Sequence, residues 1–222
     1  MNLEERLTKI KSTLPPGVKL VAVSKFVQES VIEQAYNYGQ RIFAESRPQE
    51  LKDKMLNLPK DIQWHFIGHL QTNKIKYLIP GVSMIQSVDS EKLLYAINER
   101  AINTSSVVDI LLEYKISEDP GKLGFTIGDI ERVLSSWRKL SGVKFCGLMA
   151  MASLTEDKSL INNEFARVRD LFYDLKERYF QDNNNFCEIS MGMSDDFLIA
   201  VQNGATIVRV GSAIFGERIS TN

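Results

Sequence analysis

The chain has 222 residues, 44% of them hydrophobic and 25% charged, with a formal net charge of -1 at pH 7. That composition is enough to bury a globular core, and the near-neutral charge excludes a global attraction to nucleic acid or to an anionic membrane surface. No apolar run approaches a membrane span, the N-terminus is charged rather than signal-like, and Cys146 and Cys187 have no ligand or redox spacing; a cytoplasmic protein with two buried thiols and no metal is expected.

Leu3, Leu7 and Ile10 form a stripe that predicts a helix over residues 2–12, which Pro15-Pro16-Gly17 ends. The next stretch, Lys19-Leu20-Val21-Ala22-Val23-Ser24-Lys25, reads as the first strand, with Val21, Val23 and Lys25 on one face by the two-residue period. A lysine at the end of a core-facing row is either a solvated strand end or a desolvated amine ready to condense with a carbonyl.

Alternation follows. A helix over 29–38, closed by Gly39, leads to a strand over 41–45 and a helix over 49–56 opened by Pro48. A strand over 62–68 precedes a short helix over 73–78 cut off by Pro80-Gly81. The strand over 83–88 runs into a helix started by Asp89-Ser90-Glu91 and striped by Leu93, Leu94 and Ile97. A strand over 107–116, a loop with Pro120, Gly121, Lys122 and Gly124, and a helix over 127–140 come next. The last units are a strand over 143–151, a long helix carrying Phe165, Val168 and Phe172, a polar loop over 181–185, a strand over 186–190, a helix over 195–202 stopped by Asn203-Gly204, and a strand over 205–210.

Strand-then-helix units of this number, without a GxGxxG turn, predict an α/β fold: a (β/α)8 TIM barrel with an additional N-terminal helix, one domain over 1–222. Barrel sites lie at the C-terminal ends of the strands, and phosphates are commonly held after the seventh and eighth. Here those loops are Ser190-Met191-Gly192-Met193-Ser194-Asp195-Asp196 and Arg209-Val210-Gly211-Ser212-Ala213. Closure makes the first and eighth strands neighbours, so Lys25, Arg209 and Gly211 are expected at one mouth. A phosphorylated aldehyde suits a lysine and a phosphate cradle together, and pyridoxal 5′-phosphate is the leading candidate; a sugar phosphate captured by Lys25 is the alternative. A guanidinium facing the pyridine nitrogen would disfavour its protonation.

Five stretches then carry a resemblance: Val21-Ala22-Val23-Ser24-Lys25, the run from Trp64 to Lys74, Gly147-Leu148-Met149, the run from Ser190 to Asp196, and the run from Arg209 to Gly216. Together the chain resembles the pyridoxal phosphate homeostasis protein family, whose barrel is similar to the N-terminal domain of alanine racemase. The resemblance implies that Lys25 forms the Schiff base, that Ser190, Gly211 and Ser212 hold the phosphate, and that Arg209 faces the ring nitrogen. The cofactor-binding set it implies is Lys25, Ser46, His65, Met149, Ser190, Met191, Arg209, Gly211 and Ser212. It further implies intracellular vitamin B6 homeostasis or delivery, with apoenzymes that use the cofactor as recipients. No turnover is expected, since a barrel racemase draws a second acid/base from a further domain; racemase or decarboxylase activity on amino acids is the alternative.

The chain departs from the family pattern at Ser46, where the family has Asn, at Ser212, where Thr is common, and at Leu123, where Lys-Ser-Gly is common. His65 and His69 stand at helical spacing about a strand end, which disfavours a shared metal. His65 is expected to pack in the barrel with one ring nitrogen hydrogen-bonded, or to line the pocket, and His69 to lie in the following loop.

Overall fold

Parallel strands, each paired with the next in chain order, close into an eight-stranded barrel when the last pairs with the first. The computed structural model describes residues 1–116 and 123–216; the expected loop residues Pro120, Gly121 and Lys122 lie outside them. The strands are β1 (Lys19–Val23), β2 (Ile42–Glu45), β3 (Gln63–Phe66), β4 (Met84–Val88), β5 (Val108–Glu113), β6 (Val143–Met149), β7 (Glu188–Ser190) and β8 (Ile207–Val210). The helices are α1 (Leu3–Thr13), α2 (Glu29–Asn37), α3 (Pro48–Asn57), α4 (Glu91–Asn103), α5 (Ile127–Leu134), α6 (Lys158–Tyr179), α7 (Phe197–Gln202) and α8 (Ser212–Phe215). This is the expected (β/α)8 barrel, with α1 as the additional helix.

Local chemistry sets the helix starts. Asn2 and Glu5 cap α1 reciprocally, Thr126 and Asp129 do the same for α5, and Ser90 and Asp157 accept amides at the starts of α4 and α6. Two expected helices are corrected. Residues Thr72–Tyr77 form a 3-10 helix, because the Pro80 that follows leaves no room for α turns. The helix after β5 stops at Leu134, where Ser135-Ser136 intervene before a 3-10 turn at Trp137–Lys139; serines compete with the helix for backbone partners.

Strand alternation sorts the core into two layers. Val21, Val23, Ala44, Leu111 and Met149 fill the barrel, whereas Leu20, Ala22, Phe43 and Phe66 face outward into the larger layer under the helices. An extra residue in β6 shifts its pairing with β5 from Ile110↔Phe145 to Leu111↔Gly147. Gly147 has φ 149°, and a Cβ there would strike the Glu188 carbonyl, so only glycine lets β7 approach. Cys146 is buried, and burial pushes its thiol up to about 12. Cys187 is exposed, correcting the expectation of two buried thiols: β7 begins at Glu188, leaving Cys187 outside the strand. Among the described residues no helix is long and apolar enough to cross a membrane, and no group of three metal-ligating side chains forms.

Candidate functional site

β1 ends at Val23, two residues short of the expected strand end, because Ser24 opens a turn. Ser24 still receives the sheet, donating its amide to the Ala44 carbonyl at 2.9 Å, and its own carbonyl takes the Val27 amide at 2.9 Å. Lys25 therefore sits half-buried in a turn, not in a strand. The turn is held from outside the barrel. Lys54 of α3, 4% exposed, donates to the Ser24 carbonyl at 2.8 Å and to Glu45 Oε1 and Glu50 Oε1, each at 2.7 Å. Ser24 Oγ donates to the same Glu45 oxygen at 2.6 Å, and the Phe26 amide to Glu50 at 2.7 Å. Phe26 has φ 63°, a left-handed conformation uncommon for a side chain of this size, and these bonds hold it there.

Inside the barrel a second polar network crosses from β8 to β3. Arg209 donates through one amino group to Ser190 Oγ at 2.7 Å and through the other to the Ala150 carbonyl at 3.0 Å. Ser190 Oγ donates a hydrogen bond to Gln86 Oε1 at 2.6 Å, and the Gln86 amide lies 2.7 Å from His65 Nδ1. A donor facing Nδ1 assigns the ring proton to Nε2. Burial is the main force on both ends: it lowers His65 to about 4, so the ring is neutral at pH 7, and lowers Arg209 to about 10, still charged.

At the rim, β8 pairs with β1 as Val21↔Arg209 and Ala22↔Val210, so Gly211, the residue after β8 and the N-cap of α8, comes up beside the Lys25 turn. The loop after β7 climbs this edge: the Arg209 amide donates to the Gly192 carbonyl at 3.0 Å. Gly192, at φ 92°, packs so closely that a Cβ would come 2.6 Å from the Ala200 methyl. That turn delivers Ser194, whose hydroxyl accepts the amides of Gly211 at 3.3 Å and Ala213 at 3.4 Å. Both contacts are long, and no acceptor for the Ser212 amide is found among the described residues. Successive amides converging on one weakly bound hydroxyl form a nest suited to an anion.

The expected residues separate accordingly. The Lys25 turn after β1 and the Gly211–Ser212 start of α8 after β8 lie beside each other, with Arg209 and Met149 below them in the barrel. Ser46 follows β2, half-buried, with no hydrogen bond to its hydroxyl among the described residues. His65 lies deep in the barrel with one ring nitrogen bonded, and His69 lies in the next loop against Asp89 at 2.9 Å. Ser190 uses its hydroxyl between Arg209 and Gln86, and Met191, one residue on, turns outward into the helix-side layer. The hydroxyl at the amides belongs to Ser194, which the sequence reading left out of the site. The serine spacing in Ser190-Met191-Gly192-Met193-Ser194 held that signal: an inward strand residue points at the core, while a serine beyond a glycine turn points at the rim.

Beside the rim opens a cleft of about 1070 Å³, bounded by the loops that follow β3 to β7. Glu113, Asp89 and Asp196 line it with Ile67, Tyr114 and Met193. Burial and, next, Asp89 push Glu113 up to about 7, against the pull of Arg209 and His69.

The model of the alanine racemase N-terminal domain family matches residues 1–219. A pyridoxal phosphate homeostasis protein of Aquifex aeolicus is 35% identical over 98% of this chain and 99% of its own, and one of Mus musculus is 37% identical over 90% and 77%. The structure of PipY from Synechococcus elongatus, solved with pyridoxal phosphate bound, superposes with TM-score 0.90 at 35% identity over 97% of this chain and all of that one. An alanine racemase of Clostridium difficile shares the fold, with TM-score 0.78 at 15% identity, over 99% of this chain and 58% of that one.

Proposed function

The chain belongs to the alanine racemase N-terminal domain family and, within it, to the pyridoxal phosphate homeostasis proteins, and from that premise we propose that it binds pyridoxal 5′-phosphate across the β1–β8 edge of the barrel mouth and serves its intracellular homeostasis or delivery. The observation that carries the reading is the pairing of β1 with β8, which puts the Lys25 turn next to the amides of Gly211, Ser212 and Ala213. When bound, the cofactor supplies an aldehyde that condenses reversibly with a primary amine, and a phosphate that anchors it.

The donor set fits that group. Lys25 provides the amine, on a turn that Lys54, Glu45 and Glu50 keep from swinging. Ser194 with the three amides takes the phosphate, Ser212 contributing through its backbone. Arg209 presents a buried charge that no contacting carboxylate neutralises, and so keeps a ring nitrogen near it unprotonated. Ser190 acts through Arg209, fixing its fork, and His65 does so at one further remove. Ser46 and Met149 flank the mouth, and Met191 supports the rim from the outer layer.

The reading has no turnover in it: the protein holds its cofactor and yields it to apoenzymes that use it. Two thiols without a disulfide suit the reducing cytoplasm in which that exchange takes place. Borohydride reduction of the holoprotein followed by peptide mass spectrometry is expected to place the pyridoxyl group on Lys25, and Lys25→Ala to abolish visible absorbance. A label on another lysine would end this assignment. Product accumulating beyond one equivalent on incubation with L- or D-amino acids would replace the carrier by an enzyme.

A further inference from the structure

The carboxylate of Glu113 is the feature that the cofactor reading leaves unused. Glu113 is the last residue of β5, two positions after the interior Leu111, so alternation directs it up the inside of the barrel. It is 8% exposed and what remains accessible opens on the cleft. Among the described residues no side-chain or backbone donor is hydrogen-bonded or ion-paired to its carboxylate, whose oxygens are not sealed off but stay open to the cleft. Ionising a carboxyl this far from bulk water is unfavourable in the absence of a partner, which with Asp89 is why Glu113 is pushed up to about 7, and a cation brought into the cleft restores its charge.

The neighbours do not supply that partner. Asp89 is taken by His69 at 2.9 Å and by Ser90 at 3.0 Å, and Asp196 accepts the Met193 amide. Arg209 directs its two amino groups at Ser190 and the Ala150 carbonyl. Glu113 and Asp196 thus act on one guanidinium that is already bonded elsewhere, Asp89 acts on Glu113, and with Glu156 and Asp195 the acidic side chains of the cleft outnumber its lysines, Lys115 and Lys158. The walls around them, Ile67, Tyr114, Ile116 and Met193, are apolar. What is missing is a cation with hydrogen-bond donors, carried on an apolar stem. A metal ion does not meet the description, since no cluster of three ligating side chains forms among the described residues.

We propose that Glu113 and the cleft above it bind the ammonium group of a small primary amine with an apolar body. A free amino acid and a simple alkylamine share that chemistry. Lys115 and Lys158 also line the cleft, and they favour the amino acid, whose carboxylate they can meet. The site needs no cofactor, so it stands or falls apart from the reading above.

The test uses the full chain freed of cofactor, titrated with L-leucine, with 3-methylbutylamine, which lacks only the carboxylate, and with 4-methylpentanoate, which lacks only the amine. Calorimetry gives affinities, and methyl NMR of Ile67, Met151 and Met193 in the wild-type chain locates the ligand. Both amines are expected to bind and to move those methyl signals, with the acid inert, and Glu113→Gln is expected to weaken binding by about tenfold or more. Tighter binding of leucine than of the alkylamine assigns the amino acid as the source; equal binding assigns the plain amine; either supports the site. Equal binding of the acid, an unaffected Glu113→Gln variant, or methyl shifts confined to other parts of the chain would overturn it. The acid control and the wild-type shifts decide the matter even where the variant fails to fold.

Discussion

Two buried cations flank β1, and they are held in opposite ways. Outside the barrel wall Lys54 is in direct contact with two carboxylates, Glu45 and Glu50, and with the Ser24 carbonyl. Inside it Arg209 touches only neutral oxygens, the Ser190 hydroxyl and the Ala150 carbonyl, while Glu113 and Asp196 act on it from beyond contact. The first arrangement closes on itself: the ammonium is neutralised where it sits, and what it delivers is the shape of the turn that carries Lys25. The second leaves the guanidinium oriented but uncompensated, so its charge is available to whatever occupies the mouth. One buried cation is a fastener and the other is a field, and the difference lies in whether a carboxylate is in contact.

The comparison is broken most forcefully at the fastener. Replacing Lys54→Met leaves Glu45 buried beside no cation, and its Oε2 has no partner even now. A loss of about 3–5 kcal/mol is expected in urea unfolding at pH 7, as for other severed buried pairs. The loss shrinks in acid. Burial already raises Glu45 above its ordinary value of 4.5, so the native chain holds that proton more tightly than the unfolded one. Stability from such a group is fully present below the unfolded pKa and is lost as pH rises through the folded one. Melts of the variant at pH 5 and pH 7 read the difference, and an equal loss at both would show that Glu45 does not feel its burial.

The far end of the interior network gives the next effect. His65 is held at about 4 against an ordinary 6.5, with burial as the main cause. Below pH 6.5 the unfolded chain takes up a proton that the folded chain refuses until about 4, so stability falls across that window by about 3 kcal/mol. The difference between wild type and His65→Gln, followed by urea melts from pH 7 to pH 4, isolates this slope from that of the carboxylates. A histidine that titrates near its ordinary value would leave the two profiles parallel.

The barrel was legible because its signals are periodic: eight apolar runs separated by helix stripes and punctuated by Gly39, Pro48, Asn203 and Gly204, which end or open elements where expected. Lys25 was legible as a strand-end residue, though the turn that holds it was not. Its supports, Glu45 and Lys54, are nine residues apart on a strand and the following helix, and each alone reads as an ordinary charge. Gln86 likewise reads as a polar interruption of β4, since only barrel closure brings it between Ser190 and His65. Glu113 is hidden for a different reason. Its meaning rests on a partner it lacks among the described residues, and a missing contact leaves no pattern in a sequence.

The two serines after β7 sharpen the comparison at its finest grain, because they look interchangeable in sequence and stand in different networks. Ser190→Ala removes the acceptor for one Arg209 amino group and the donor to Gln86, leaving two buried polar groups short, at a cost of about 1–3 kcal/mol. Ser194→Ala removes only the two long amide contacts at 3.3 and 3.4 Å on the exposed side of the rim. Its cost to stability is expected within about 0.5 kcal/mol. Binding separates them in the reverse order. Loss of the Ser194 hydroxyl takes a donor from the phosphate, so pyridoxal phosphate should dissociate faster from Ser194→Ala by a factor readable in a gel-filtration or dialysis assay. In Ser190→Ala the phosphate nest is intact, and the change should appear in the absorbance of the bound cofactor, as Arg209 loses its fixed direction. Equal retention by both variants would return the phosphate contact to Ser190 and dissolve the distinction between an oriented charge and an anion cradle.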